Sequence, residues 1–214
     1  MVVAMFLYPG GTLNDHSTRG YSFGRNFLSD LGATVTFGDH PNTPSAILFI
    51  ASLVLMMGAL AASLGAAVRV HSKSLAARRY AWAAAATGAL VCLLFLGVAV
   101  TPRNRAFHLH MEFSRWAFRI SPVAVLMLAF ATRRDPEFPP VAANSWLLLT
   151  FALAAYVAVM GWGPNPSTDF GLIFQATAQK TIVILAEIVI VLETYEAERV
   201  VGQRKELTPA APVR

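Results

Sequence analysis

The chain has 214 residues, of which 56% are hydrophobic and 14% are charged, and its mean hydropathy is +0.54. Soluble domains contain about 25% charged residues, so this composition excludes a disordered or nucleic-acid-wrapping protein and argues against a soluble enzyme. The net charge is +5, but the basic residues lie between apolar blocks, where they set membrane orientation. Because Cys92 is the single cysteine, an intramolecular disulfide and a zinc cluster of thiolates are excluded.

The first apolar segment, Met1 to Tyr8, is too short to cross a bilayer. Eight residues of helix rise about 12 Å, whereas the hydrocarbon core is about 30 Å thick. The segment ends at Pro9-Gly10-Gly11 and has neither the basic start nor the cleavage site of a signal peptide. It is either a half-helix or the remainder of a truncated sixth span, and the Pro-Gly-Gly exit favours the second interpretation.

A polar segment, residues 9–44, follows and is called the outer segment below. Within it, Phe27, Leu28 and Leu31 recur at helical spacing and Gly32 supplies a stop, so a short interfacial helix is predicted over residues 26–31. We expect this segment to fold over the mouth of a helical bundle. Asp30 then needs a donor, which we expect from His108 or Arg115; an ordinary polar loop is the alternative.

Five later blocks are each long enough to span a bilayer, which takes about 20 apolar residues. They cover residues 45–68, 80–101, 108–131, 144–163 and 170–194. No block alternates with the two-residue period of a β-strand, so the sequence predicts an all-α transmembrane bundle and excludes a β-barrel. The bundle forms one domain, residues 1–201, and residues 202–214 form a flexible cytoplasmic tail.

Basic residues predict the orientation, because Lys and Arg accumulate on the cytoplasmic side of a membrane protein. The inter-span segments on one side, together with the C-terminal tail, hold ten Lys and Arg residues, and those on the other side hold four. The predicted location is therefore the cytoplasmic membrane, which in bacteria is the inner membrane. The C-terminus is cytoplasmic and residues 9–44 lie outside.

Charged residues inside a span are costly and suggest function. In the third span, His108, Glu112, Arg115 and Arg119 share one helical face, which ends near a predicted kink at Ser121-Pro122. This face is either a structural ion-pair seam or the wall of a cavity.

The last span carries the complement of these charges. Gln175 and Gln179 share one face, and Lys180 and Glu187 share another. We expect this span to lie beside the third, with Glu112 paired to Lys180 and Arg119 paired to Glu187. Such pairing offsets the cost of desolvation.

The convergence of polar groups predicts a ligand pocket in the outer half of the membrane. Its residues are Asn26, Ser29, Asp30, His108, Glu112, Arg115, Gln175, Gln179 and Lys180. No metal site and no cofactor is predicted, because His108 and His110 point to different sides of a helix and zinc needs three or four converging ligands.

Several stretches in order resemble an uncharacterised prokaryotic family, domain of unknown function nine-nine-eight. They are YPGG, NFLSDLG, HPNTPSAILF and TPRN followed by HLH, and the resemblance extends from Tyr8 to about Tyr195. It implies a plan of about six helices. The chain departs from that plan in the stub of a first helix.

A second, weaker similarity is to the Frag/DRAM/Sfk type of membrane proteins. These place Ser-Asp-x-Gly ahead of a proline and an aromatic residue at a helix start, which correspond here to Ser29, Asp30, Gly32, Pro44 and Phe49. This similarity implies a link to lipid handling. Neither resemblance brings an established reaction.

Three functions remain open at this point. The favoured one is a non-enzymatic bundle that binds membrane lipids or another membrane protein, since the sequence has no HExxH, GxSxG or phosphate-loop motif and no sign of a nucleic-acid partner. The second is an intramembrane lipid hydrolase with Ser29, Asp30, His108 and Glu112 as candidate catalytic residues and His110 beside them. The third is a small transporter, although inverted repeats are not visible.

Overall fold

The computed structural model describes residues 1–207, and all regular secondary structure in that range is helical. Five helices are long and apolar enough to cross a membrane, as the sequence predicts, and the chain is therefore a multi-pass membrane protein. The helices are α1 (Val2–Leu7), α2 (Thr43–Val70), α3 (Leu75–Val100), α4 (Phe107–Arg133), α5 (Pro140–Trp162) and α6 (Asp169–Leu207), with a 3-10 helix at Leu28–Gly32.

Local sequence explains where several helices begin and end. Pro44 occupies the first turn of α2, where a missing backbone N–H costs nothing. The Ser74 hydroxyl accepts a hydrogen bond from the Ala77 N–H at the start of α3, and Thr168 does the same for Gly171 at the start of α6. At the other end of α5, Gly163 follows the last helical residue and its N–H bonds the Val159 carbonyl. These caps delimit helices that the apolar blocks alone locate only approximately.

The five long helices pack largely in chain order. α3 lies between α2 and α4, α4 lies between α3 and α5, and α6 packs on α5 and approaches α2. α1 packs on α2, with Ala4 and Tyr8 in the same apolar core as Phe49 and Leu53. α6 continues to Leu207, so the predicted boundary at Gly202 falls inside a helix, and the remainder of the predicted tail lies outside the described residues.

The outer segment is anchored at the end of the bundle where α4 begins. The 3-10 helix contacts α2 and α6, in agreement with the short interfacial helix predicted there. Two further contacts join the segment to the far side of the bundle: the Arg25 guanidinium binds Asp169 at 2.9 Å, and the Asn14 amide donates to the Pro166 carbonyl. The segment thus spans the mouth of the bundle.

An ionic cluster joins three elements at the opposite end. Nδ1 of His71, after α2, lies 2.9 Å from a carboxylate oxygen of Asp135, after α4. Glu137 accepts from Lys73 at 2.9 Å and also from Arg204 of α6, which in turn donates to the Val70 carbonyl. Because the partners come from separate parts of the chain, these pairs fix the ends of α2, α4 and α6 at this side of the bundle relative to one another.

Gly32 provides a test of how the 3-10 helix packs. A methyl group there would lie 2.5 Å from the ring of Phe49, so Gly32→Ala should cost about 1–3 kcal/mol through overpacking. Gly24→Ala, where a methyl group meets open space, is the control. The measurement is the melting temperature in detergent, and equal values for the two variants would contradict the packing.

His71 makes the stability depend on pH. Burial holds the pKa of His71 below its ordinary value and Arg204 adds to this effect, whereas the bond to Asp135 opposes it. His71 therefore takes up a proton more readily in the unfolded chain than in the folded one. The contribution of neutral His71 to the free energy of unfolding is complete above about pH 6.5 and declines as the pH falls.

His71→Asn should accordingly flatten the dependence of melting temperature on pH between about pH 7.5 and about pH 5.5. His40→Asn, on the exposed part of the outer segment, should retain the wild-type slope. A His71→Asn profile as steep as that of the wild type would refute the assignment.

Candidate functional site

Asp30 is the centre of a polar cluster at the end of the bundle that carries the outer segment. Its side chain is buried, and one oxygen accepts from the Arg103 guanidinium at 2.5 Å. The other accepts from the Phe27 N–H at 2.9 Å and from the Asn26 amide at 3.2 Å. The bond to the Phe27 N–H closes the first turn of the 3-10 helix, so the same carboxylate shapes its own segment and joins it to the loop after α3.

Arg103 is the residue that sequence reasoning missed. We expected His108 or Arg115 to donate to Asp30, but the donor is this arginine of the α3–α4 loop. Its guanidinium also lies within 6.0 Å of the ring centroids of Phe27, Phe37 and Phe107, at 4.7 Å for Phe37. Aromatic faces attract a desolvated cation. Phe27 and Phe37 in the outer segment are therefore the sequence feature that could have indicated a nearby arginine.

Asn26, fully buried, organises the backbone of the outer segment. Its amide donates to the Gly11 carbonyl at 3.0 Å, and its oxygen accepts from the Ser22 N–H at 2.9 Å. Its own carbonyl accepts from the Tyr21 hydroxyl and from the ammonium of Lys180 on α6. One side chain therefore connects two distant turns of the segment, while its main chain reaches a membrane-spanning helix.

Lys180 is a buried charge, as the sequence predicts, but its partners differ from those predicted. The ammonium donates to the carbonyls of Asn26 and Ala176 and lies 5.5 Å and 5.1 Å from the ring centroids of Tyr21 and Phe23. These groups replace water around the cation.

Three more buried polar side chains, two on α6 and one just before α2, form hydrogen bonds with backbone groups. The Gln179 oxygen accepts from the Leu28 N–H at 2.8 Å, and the Gln175 amide donates to the Val159 carbonyl at 2.9 Å. The Asn42 amide donates to the carbonyls of Leu31 and Ala33. Within residues 1–207, the Asn42 oxygen is one of two buried side-chain polar atoms without a partner. The cluster is thus largely self-satisfied, which is typical of a structural network.

The predicted ion pairs between α4 and α6 are wrong. Glu112 pairs with Arg115 on its own helix at 3.0 Å, and Lys180 donates to the carbonyls of Asn26 and Ala176. Arg119 lies over the ring of Trp116, and both Arg119 and Glu187 are exposed. The physical reason is that α4 packs on α3 and α5 whereas α6 packs mainly on α5, and the side chains of Glu112, Arg115 and Arg119 on α4 are exposed.

The predicted pocket residues accordingly divide into two groups. Asn26, Asp30, Gln175, Gln179 and Lys180 are buried around the outer segment, with Ser29 half-buried beside them. His108, Glu112 and Arg115 are exposed on α4.

The candidate catalytic residues divide in the same way. Ser29 and Asp30 lie in the 3-10 helix, and Asp30 is held by Arg103, whereas His108 and Glu112 are on the exposed face of α4. The buried histidine of α4 is His110, whose Nδ1 donates to the Thr101 carbonyl at 2.7 Å. Within residues 1–207, no group of three or more His, Cys, Asp and Glu side chains could hold a metal ion.

A groove of about 550 Å³ lies between α5 and α6. Apolar side chains line most of it, including Ala155, Val159 and Phe174, and two threonines, Thr177 and Thr181, also face it. The hydroxyl of Thr181 is satisfied by the Thr177 carbonyl in the same helix at 3.0 Å. The groove therefore offers an apolar surface at membrane depth.

Comparison with known proteins gives no relative: no family model, no curated protein and no solved structure matches the chain. The resemblance described for the sequence stays a prediction.

The buried ion pair can be tested with Asp30→Asn, which is nearly isosteric. Leaving Arg103 without its carboxylate should cost about 3–5 kcal/mol, seen as a lower melting temperature and less folded protein. Asp39→Asn is the control, because Asp39 is exposed and its φ of 60° suits asparagine.

A double variant separates the pair from its surroundings. If the charges interact as described, Arg103→Gln should cost less in the Asp30→Asn background than in the wild type. Additive losses would show that the two residues act independently.

Proposed function

We propose that this chain is a non-enzymatic membrane protein of the cytoplasmic membrane that binds lipid, and that a lipid acyl chain occupies the α5–α6 groove. The observation that carries the proposal is the groove itself, which is apolar and lies between two helices that are long enough to cross a membrane. The C-terminus is assigned to the cytoplasm, following the excess of Lys and Arg at that end.

The polar cluster supports a scaffolding role for the outer segment rather than catalysis. Asp30, Asn26 and Lys180 form their hydrogen bonds with other groups of the protein. A general base needs a free lone pair within reach of a substrate, and Asp30 does not offer one in this arrangement. In a lipid-binding bundle, the cluster has a structural role: it holds the ends of α2 and α6 beside the outer segment in position. The groove between α5 and α6 then keeps its shape.

Tight packing elsewhere adds to this argument. Gly97 of α3 faces the ring of Phe113 of α4, and Gly88 of α3 faces Leu64 of α2, each at a distance that leaves no space for a methyl group. The contact of α5 with α6 is less extensive than that of α3 with α4, and the groove lies along it. An acyl chain would fill the space between α5 and α6. Inside a bilayer, helices and lipids associate mainly through van der Waals contacts, and an acyl chain in the groove would add such contacts.

Two neighbouring alanines of α5 allow a matched test. Ala155 lines the groove, whereas Ala154 is exposed outside it, so Ala155→Trp should fill the groove and Ala154→Trp should not. The probe is a phospholipid with a photoactivatable acyl chain in vesicles. We expect labelled wild-type peptides to cluster in α5 and α6, and Ala155→Trp to lower that labelling several-fold.

The control determines how the result is read. Ala154→Trp should label like the wild type, because it leaves the groove open. Labelling spread evenly around the bundle, or labelling of Ala155→Trp equal to that of Ala154→Trp, would refute an acyl-chain site in the groove.

A further inference from the structure

The outward face of α4 carries charges that nothing within residues 1–207 covers. Glu112 and Arg115 have side chains 53% and 49% exposed although they belong to a membrane-spanning helix. Trp116 is 49% exposed beside them, and Arg119 is exposed one turn further along. Glu112 and Arg115 contact each other at 3.0 Å, yet both stay exposed, and charged side chains within a membrane-spanning helix are rare and mark functional sites. This set is called the α4 face.

The depth of the α4 face matches a lipid headgroup. Glu112 lies five residues after the first residue of α4, or about 7.5 Å along the helix, and α4 is about 40 Å long against a hydrocarbon core of about 30 Å. Arg119 is deeper, but helical side chains point toward the N-terminus, and its guanidinium reaches back to within 5.4 Å of the Trp116 ring centroid. Along α4, Arg115 and Arg119 follow Glu112 by about 4.5 Å and about 10.5 Å of helix, so both guanidiniums belong to deeper positions than the carboxylate.

The order of charges selects the headgroup. From the membrane surface inward, the α4 face presents a carboxylate and then two guanidiniums. A phosphatidylethanolamine presents, in the same direction, an ammonium and then a phosphate. We propose that the α4 face binds a phosphatidylethanolamine of the adjacent leaflet, with its ammonium on Glu112 and its phosphate on Arg115 and Arg119.

The other parts of the lipid also have counterparts. Trp116 lies at the level of the glycerol esters, where indole rings are favoured, and Val123, 47% exposed, continues the face as apolar surface for an acyl chain. This site is separate from the α5–α6 groove. It takes a headgroup, whereas the groove takes only an acyl chain.

A second copy of the chain fits the α4 face less well. Glu112 is the one acidic residue of the face, so a copy related by a two-fold axis along the membrane normal would bring no acid to the depth of Arg119. A phosphate supplies that negative charge. Choline cannot donate a hydrogen bond to Glu112, and a glycerol headgroup carries no cation.

The test is native mass spectrometry of purified protein titrated in detergent with phosphatidylethanolamine, phosphatidylcholine or phosphatidylglycerol. We expect wild-type protein to bind phosphatidylethanolamine about ten-fold more tightly than the other two, as one charge-assisted hydrogen bond would give. Glu112→Gln should abolish this preference. Arg115→Gln combined with Arg119→Gln should weaken binding of all three lipids.

Two controls separate this site from its surroundings. Arg105→Gln changes an exposed arginine of the α3–α4 loop and should leave the preference unchanged, as should Ala155→Trp in the groove. Because the α4 face is exposed, its variants should melt like the wild type. Equal affinity for the three lipids, or a preference that survives Glu112→Gln, would overturn the proposal. So would a lipid-free dimer that Glu112→Gln dissociates.

Discussion

Irregular backbone that meets a membrane-spanning bundle must have its N–H and C=O groups satisfied by protein, because the bilayer interior provides no water. The outer segment meets this requirement with side chains. Asn26 binds the backbone of Gly11 and Ser22, Asn42 binds that of Leu31 and Ala33, and Gln179 binds that of Leu28.

The Asp30–Arg103 pair has a central place among these contacts. Desolvating two charges costs energy that their attraction only partly returns, so such a pair serves geometry more than stability. Here it joins the 3-10 helix to the α3–α4 loop, while the carbonyl of Asn26 receives Lys180 from α6. A single short stretch of sequence thereby connects three parts of the bundle.

The sequence predicted the spans because hydrophobic length is a physical requirement of crossing a bilayer. It predicted a short helix in the outer segment because Gly32 follows a helical apolar pattern, but not that this helix is of the 3-10 type. The direction of the charged face of α4 could not be predicted. Periodicity shows that Glu112, Arg115 and Arg119 share a face, but it does not say whether that face meets protein or lipid. The partner of Asp30 was also missed, because Arg103 lies in a loop whose position depends on the packing of α3 and α4.

The two lipid proposals assign different physical roles to two surfaces of the same bundle. The α5–α6 groove is a defect in apolar packing, where shape decides what fits. The α4 face is a pattern of charge, where the order of groups decides. Both surfaces can act while the outer segment stays closed, since neither uses a side chain of the Asp30 cluster.

The two ends of α6 are held by ion pairs, Asp169 by Arg25 and Arg204 by Glu137. About 50 Å of helix separates these two residues, which is well beyond the hydrocarbon thickness of a typical bilayer. Neither end can slide to follow a thinner or thicker membrane without breaking a pair. A bundle held in this way can respond to hydrophobic mismatch by tilting as a whole or by deforming the bilayer around it, and not by sliding α6 along its neighbours.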